Sequence, residues 1–153
     1  MPRFRMLLLC VLVACLTVPA LPAATASAGR SAEDQMLAKI NNYRAKNGLP
    51  KVRKSKSLTR SAERYSWKQM RSGYFGHSSR IQASSKYSRL GEILAWSQGT
   101  SARVSSTFRM WLNSPGHRAV IVDRGFRYVG AGRASGRFRG GKSTIWTVQF
   151  GSR

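Results

Sequence analysis

Two histidines and one carboxylate are the residues of this chain best suited to chemistry. His77 and His117 are the only histidines among 153 residues, and Glu92 is one of five acids. Two imidazoles and a carboxylate make a competent ligand set for Zn²⁺, with a fourth position left to water. The three fall on separate segments and have to converge in space to act together. A second reading stands beside the first: both histidines bond backbone carbonyls or Glu92 and hold loops in place. Glu92 lies in residues 90–96, a run otherwise apolar. A lone charge there is costly unless it is paired, protonated or metal-bound. Arg118, directly after His117, is one candidate partner.

His117 belongs to the stretch Ser114-Pro115-Gly116-His117-Arg118. Ser114 is expected to cap a helix with its side-chain oxygen, and Pro115 suits the first helical position. His117 then sits near the positive end of the helix dipole, where a positive charge is disfavoured. The imidazole is biased toward its neutral form, which metal binding or proton acceptance requires. Ser114 is a poor nucleophile, because a capping oxygen is engaged and no acid is placed to orient the imidazole.

The elements that position these residues follow from periodicity. A first helix is expected over residues 30–48, capped by Ser31 and closed by Gly48, with Met36, Ile40 and Tyr43 on one face. A second runs over residues 57–72, with Leu58, Ala62 and Tyr65 aligned and Gly73 ending it, so His77 follows just beyond its end. Residues 78–89 are polar and turn-rich and read as a surface loop. Val104, Phe108 and Trp111 mark a third helix ending at Asn113, and Ser114 opens a short fourth. Residues 128–132 are short and glycine-punctuated, residues 133–142 read as a long hairpin connection, and residues 143–150 have strong strand propensity. Helices followed by an antiparallel pair, with short strands earlier, give an α+β pattern.

Residues 1–28 read as a secretory signal peptide: Arg3 and Arg5, an apolar run from Met6 to Val18, then small-x-small cleavage sites around Ala26. A lipoprotein box ending at Cys15 is an alternative reading of the same run. Cys10 and Cys15 are the only cysteines, so a mature domain over residues 29–153 has no disulfide and depends on its apolar core. No later segment approaches the length of a membrane span. Against 27 Lys and Arg stand five acids, a formal +22, or +20 without Arg3 and Arg5. Such a field draws polyanions: nucleic acid, anionic membrane surfaces or acidic cell-wall polymers.

Several motifs, in this order, resemble the bacterial branch of the CAP superfamily, the cysteine-rich secretory, antigen 5 and pathogenesis-related (SCP-like) proteins. Phe75-Gly76-His77-Ser78-Ser79 matches the histidine-serine pair after the second helix, and Gly91-Glu92-Ile93-Leu94 meets the Gly-Glu-Asn-Ile segment. Residues 114–118 carry the Ser-Pro-Gly-His-Arg signature unbroken. Residues 126–132 and 146–151 resemble the strands that follow. The resemblance implies a three-layer α-β-α sandwich with a small antiparallel sheet. It also implies an extracellular domain with a cleft gathering His77, His117 and Glu92, able to hold Zn²⁺. Ser114 stands where animal and plant members carry a second glutamate. Ile93 and Val120 stand where asparagine is frequent, and Gln149 replaces a frequent acid.

The function expected from all this is a secreted binding module with a His/Glu cleft, held near anionic envelope polymers. One alternative is a metal-assisted hydrolase of peptide or cell-wall material, with Glu92 taking a proton from zinc-bound water. Another is a non-specific polyanion or nucleic-acid binder. No helix-turn-helix, zinc-finger or RNP signature supports sequence-specific readout. Trp96, Trp111, Trp146 and Phe150 offer a lining for a lipid cleft, although aromatic residues at such spacing usually form core.

Overall fold

The computed structural model describes residues 30–153; the leader expected over 1–28, with both cysteines, lies outside the described residues. Four helices and four strands follow one another: α1 (Ala32–Lys46), β1 (Arg53–Lys54), α2 (Lys56–Ser72), β2 (Arg89–Gln98), α3 (Val104–Asn113), α4 (Pro115–Val122), β3 (Tyr128–Phe138) and β4 (Gly141–Ser152). The strands form one sheet in the order β1-β3-β4-β2. β3 and β2 flank β4 antiparallel, and the two-residue β1 runs parallel to β3, so the sheet is mixed rather than purely antiparallel.

The helices form where the apolar spacing places them, and caps bound both ends of α1 and α2. Ser31 Oγ accepts from the Asp34 N–H at 3.1 Å and opens α1, and Glu33 and Asp34 suit its positive end. α1 ends at Lys46 with Asn47 as its cap, one residue before Gly48. Ser55 caps α2, and Gly73 closes it.

The sheet is sandwiched, and the parity of each strand decides which layer a side chain meets. Ile93, Ala95, Val129, Ala131, Trp146, Val148 and Phe150 pack with Met36 and Ile40 of α1, Trp111 of α3 and Ile121 of α4 in the main core. The opposite face is covered by α2, which lies on β3 and β4. There Gly130 and Gly132 admit the helix backbone. A Cβ at either would overlap the backbone nitrogen of Thr59 or Glu63. Central β4 is buried on both faces from Ser143 to Gly151, as a strand between two helical layers must be.

Two expectations are corrected. Residues 133–142 are not a long connection: β3 continues to Phe138, and the hairpin turns on Arg139 and Gly140 alone, at φ 48° and 85°. Two positive φ values make the primed turn whose twist suits a hairpin. The glycine, arginine and serine that suggested a loop instead alternate along an ordered strand. Short strands are expected before the final pair, but β2 is long and pairs with β4 over ten residues. Trp111, Trp146 and Phe150 are core, whereas Trp96 stays 38% exposed.

Gly132→Ala is expected to cost about 2 kcal/mol or more by overpacking α2 against β3, read from urea unfolding. Gly116→Ala, in open space within α4, is expected to be neutral or stabilising by up to about 1 kcal/mol. Equal stability of the two variants would contradict this packing.

Candidate functional site

The carboxylate of Glu92 is the centre of the site. It stands on β2 directly opposite Gln149 of β4, on the face that α2 covers. Gln149 Nε2 donates to Glu92 Oε2 at 2.8 Å, and the Ser78 N–H donates to Oε1 at 2.9 Å. His77 Nδ1 lies 3.1 Å from the same Oε1. A carboxylate only accepts, so His77 carries its proton on Nδ1. Glu92's side chain is 5% exposed and His77's 62%, so a buried acid anchors an open imidazole.

α2 fixes the loop that delivers His77. The Tyr65 hydroxyl donates to the Gly76 carbonyl at 2.7 Å, and the Gly76 N–H donates to Gln69 Oε1 at 3.2 Å. Both polar groups of the residue preceding His77 are thereby taken by one helix. Gln69 is itself buried and reaches Thr147 of β4. Burial and the neighbouring Glu92 charge push the Tyr65 hydroxyl above its usual range, so it stays a donor.

His117, on α4, makes no hydrogen bond to this group, although the His77 charge reaches it. Its Nδ1 is buried without a hydrogen-bond partner. Burial first, then the charge of His77, holds its pKa below the usual 6.5. Both causes favour the neutral imidazole. Strand parity places α4 and Glu92 on different sides of the sheet: Gly91, one residue before Glu92, faces Val120 and Phe126 beside α4, whereas Glu92 points to the α2 side. Among the described residues no group of three or more His, Cys, Asp and Glu lies close enough to hold a metal ion. Both oxygens of Glu92 are occupied by protein donors. As placed, His77 and Glu92 form a hydrogen-bonded pair, and the donors do not gather into a three-residue ligand set for Zn²⁺.

Two neighbouring expectations change. Ser114 occupies the N-cap of α4 with extended φ and ψ and Pro115 follows at the first position, but its hydroxyl makes no capping bond. Its backbone engages instead: the carbonyl accepts from the Arg118 N–H at 2.9 Å, and the N–H donates to the Trp111 carbonyl at 3.2 Å. Arg118 is exposed and does not pair with Glu92. It borders a shallow surface depression with Tyr43 and Asn47.

Beside the His77–Glu92 pair opens a cavity of about 390 Å³, with His77, Ser78 and Gln149 in its wall. Arg64, Lys68 and Arg80 also line it, and no carboxylate does. These cations, with Tyr65 and Gln69, escape a reading of the sequence alone. Arg64 and Lys68 recur four apart on an exposed helix face, which usually marks only solvated surface. Gln149 stood out only as a replaced acid, and its pairing with Glu92 needs the strand register.

Residues 37–150 match the sequence pattern of the Cysteine-rich secretory protein family, CAP. The uncharacterized protein YkwD of Bacillus subtilis (strain 168) is 29% identical over 127 residues, covering 77% of this chain and 46% of YkwD. This chain therefore spans about half the length of that relative. Among solved structures, an outer surface protein of Borrelia burgdorferi superposes with a TM-score of 0.67 at 20% identity, over 78% of this chain and 91% of that one. An extracellular protein containing an SCP domain from Bacillus anthracis gives 0.63 at 20% identity, over 80% of this chain and 40% of that one. These similarities concern the fold.

The half-buried His117 makes stability depend on pH. Its folded pKa is lowered, so between 6.5 and that lower value the unfolded chain binds more protons. Stability is expected to fall as pH drops below 6.5, and to fall less in His117→Asn. Urea midpoints at pH 7 and 5 test this, and equal slopes for both proteins would refute it. Calorimetric titration with zinc is expected to give the same heats for the wild type and His117→Ala; a loss of heat in the variant would place His117 in a metal site.

Proposed function

The chain belongs to the bacterial branch of the cysteine-rich secretory protein (CAP) family, and on that footing we propose that it is an extracellular module that binds anionic polymers of the cell envelope. The observation that carries this is how the few acids are used. Asp34 pairs with Lys54 and Asp123 with Arg89, and Glu33 lies 3.3 Å from Arg133 while Glu92 bonds His77. Only Glu63 makes no such pair among the described residues, so, apart from the buried Arg44, the Lys and Arg outside these pairs have almost no carboxylate to neutralise them. The cationic lining of the cavity continues that field inward. A leader of signal-peptide form over residues 1–28 supports export, and the Bacillus anthracis structure is described as an extracellular protein.

A hydrolase finds less support. A general base must be free to take a proton from water, and Glu92 is held by Ser78, His77 and Gln149. The role these bonds suit is mechanical: a buried acid latches the loop after α2 to the sheet and gives one wall of the cavity its shape.

Binding to poly(glycerol phosphate) is expected to weaken steeply with salt, as a line of log affinity against log salt concentration, because each neutralised anion releases a counterion. Duplex DNA of unrelated sequences is expected to bind with one common affinity. No binding to either polymer at about 50 mM salt, where such contacts are strong, would sink the reading.

A further inference from the structure

Resting on the polyanion-binding reading, we propose that the cavity beside His77 is a specific site for an acidic oligosaccharide. Its volume, about 390 Å³, falls within the range of small-ligand sites, roughly 300–1,000 Å³. Three features of its wall select the ligand's chemistry.

The first is charge. Arg64, Lys68 and Arg80 converge on a cavity with no carboxylate in its lining, so an anionic group finds charge-assisted donors there.

The second is an aromatic wall. Tyr74 is 61% exposed, and its ring lies so close over Gly76 that any Cβ there would collide with it. Tyr65, held by its bond to the Gly76 carbonyl, lines the same space. The two rings present flat apolar surface with polar tips, which suits a sugar ring with one apolar face and a hydroxylated edge.

The third is an unpaired acceptor that asks for a donor. The Glu92 carboxylate can only accept, so it fixes the Gln149 amide with Nε2 toward it. Gln149 Oε1 is left as a buried acceptor without a partner, on a residue that itself lines the cavity. An unpaired buried acceptor costs stability until a donor reaches it. A hydroxylated ligand brings donors to this wall, and a bare polyphosphate brings none. Charge alone would accept any polyanion; the tyrosines and the unpaired acceptor narrow the choice to a sugar that carries the charge.

Calorimetry with the full domain tests this using trigalacturonate and sucrose 6-phosphate as carboxylate and phosphate sugars, and maltotriose and tripolyphosphate as controls. At least one acidic sugar is expected to bind more tightly than both controls, which also tells which anion the site prefers. Tyr74→Ala is expected to weaken that sugar by on the order of tenfold and leave tripolyphosphate unchanged. Lys68→Ala/Arg80→Ala is expected to weaken it further than Lys46→Ala/Arg109→Ala, which removes the same charge from exposed positions outside the lining. All four residues are exposed, so the variants are expected to fold. Equal losses in the two double variants, or no effect of Tyr74→Ala, would overturn the site while leaving surface binding of polyanions intact. Failure of every anionic ligand and polymer at low salt would overturn both.

Discussion

A single buried guanidinium holds the α1–α4 layer to the sheet. Arg44, in the last turn of α1, has no exposed surface. Its Nε donates to the Pro50 carbonyl at 3.0 Å, and Nη1 to the carbonyls of Ile121 and Asp123 at 2.8 and 2.9 Å. Nη2 reaches the Phe126 carbonyl at 3.4 Å. The planar fork thus joins the turn after α1, the end of α4 and the approach to β3. The last carbonyls of a helix lack partners within it and carry the negative end of its dipole, so α4 is a natural acceptor for a cation. Burial and the nearby Arg127 lower the Arg44 pKa, and Asp123 opposes that shift. A charge taken from water is tolerated because its donors find carbonyls on several sides. The position of His117, one turn before Ile121, is inherited from this anchor.

The sheet imposes the second constraint. Side chains alternate between its faces, so Glu92 and His117 can be close in the chain's fold and still be held by different layers. The pairing Glu92↔Gln149 sets an acid against an amide across β2 and β4 on the α2 face. α2 approaches closely enough to reach them because Gly130 and Gly132 carry no side chain on that face. Its Tyr65 and Gln69 then fix Gly76, and through it His77. The binding-module reading draws on this chain of contacts, since it leaves the Glu92 carboxylate occupied.

The sequence made several elements legible for reasons that are local. Met36, Ile40, Leu58, Ala62 and Trp111 repeat at helical spacing and are buried. Ser31 and Gly73 mark helix ends because capping depends only on adjacent backbone. The strands were harder. β3 contains glycine, arginine and serine because α2 presses on one of its faces while Arg133 and Arg137 project elsewhere, and composition alone reads such a mixture as a loop. Ser114 misled in a smaller way: residue type and Pro115 placed the cap correctly, but the hydroxyl's bond depends on a rotamer that neighbouring packing decides.

By itself, the sequence determined the apolar periodicities, the order of the family's motifs, the charge excess and the identity of the few residues able to do chemistry. These are properties of composition and near neighbours along the chain. Tertiary structure decided which of those residues meet. It paired His77 with Glu92, brought in Gln149 from a strand 57 positions later, set His117 in another layer, and collected Arg64, Lys68 and Arg80 around one cavity. Strand register and the close approach of α2 to two glycines govern those meetings, and both arise only when distant segments pack together.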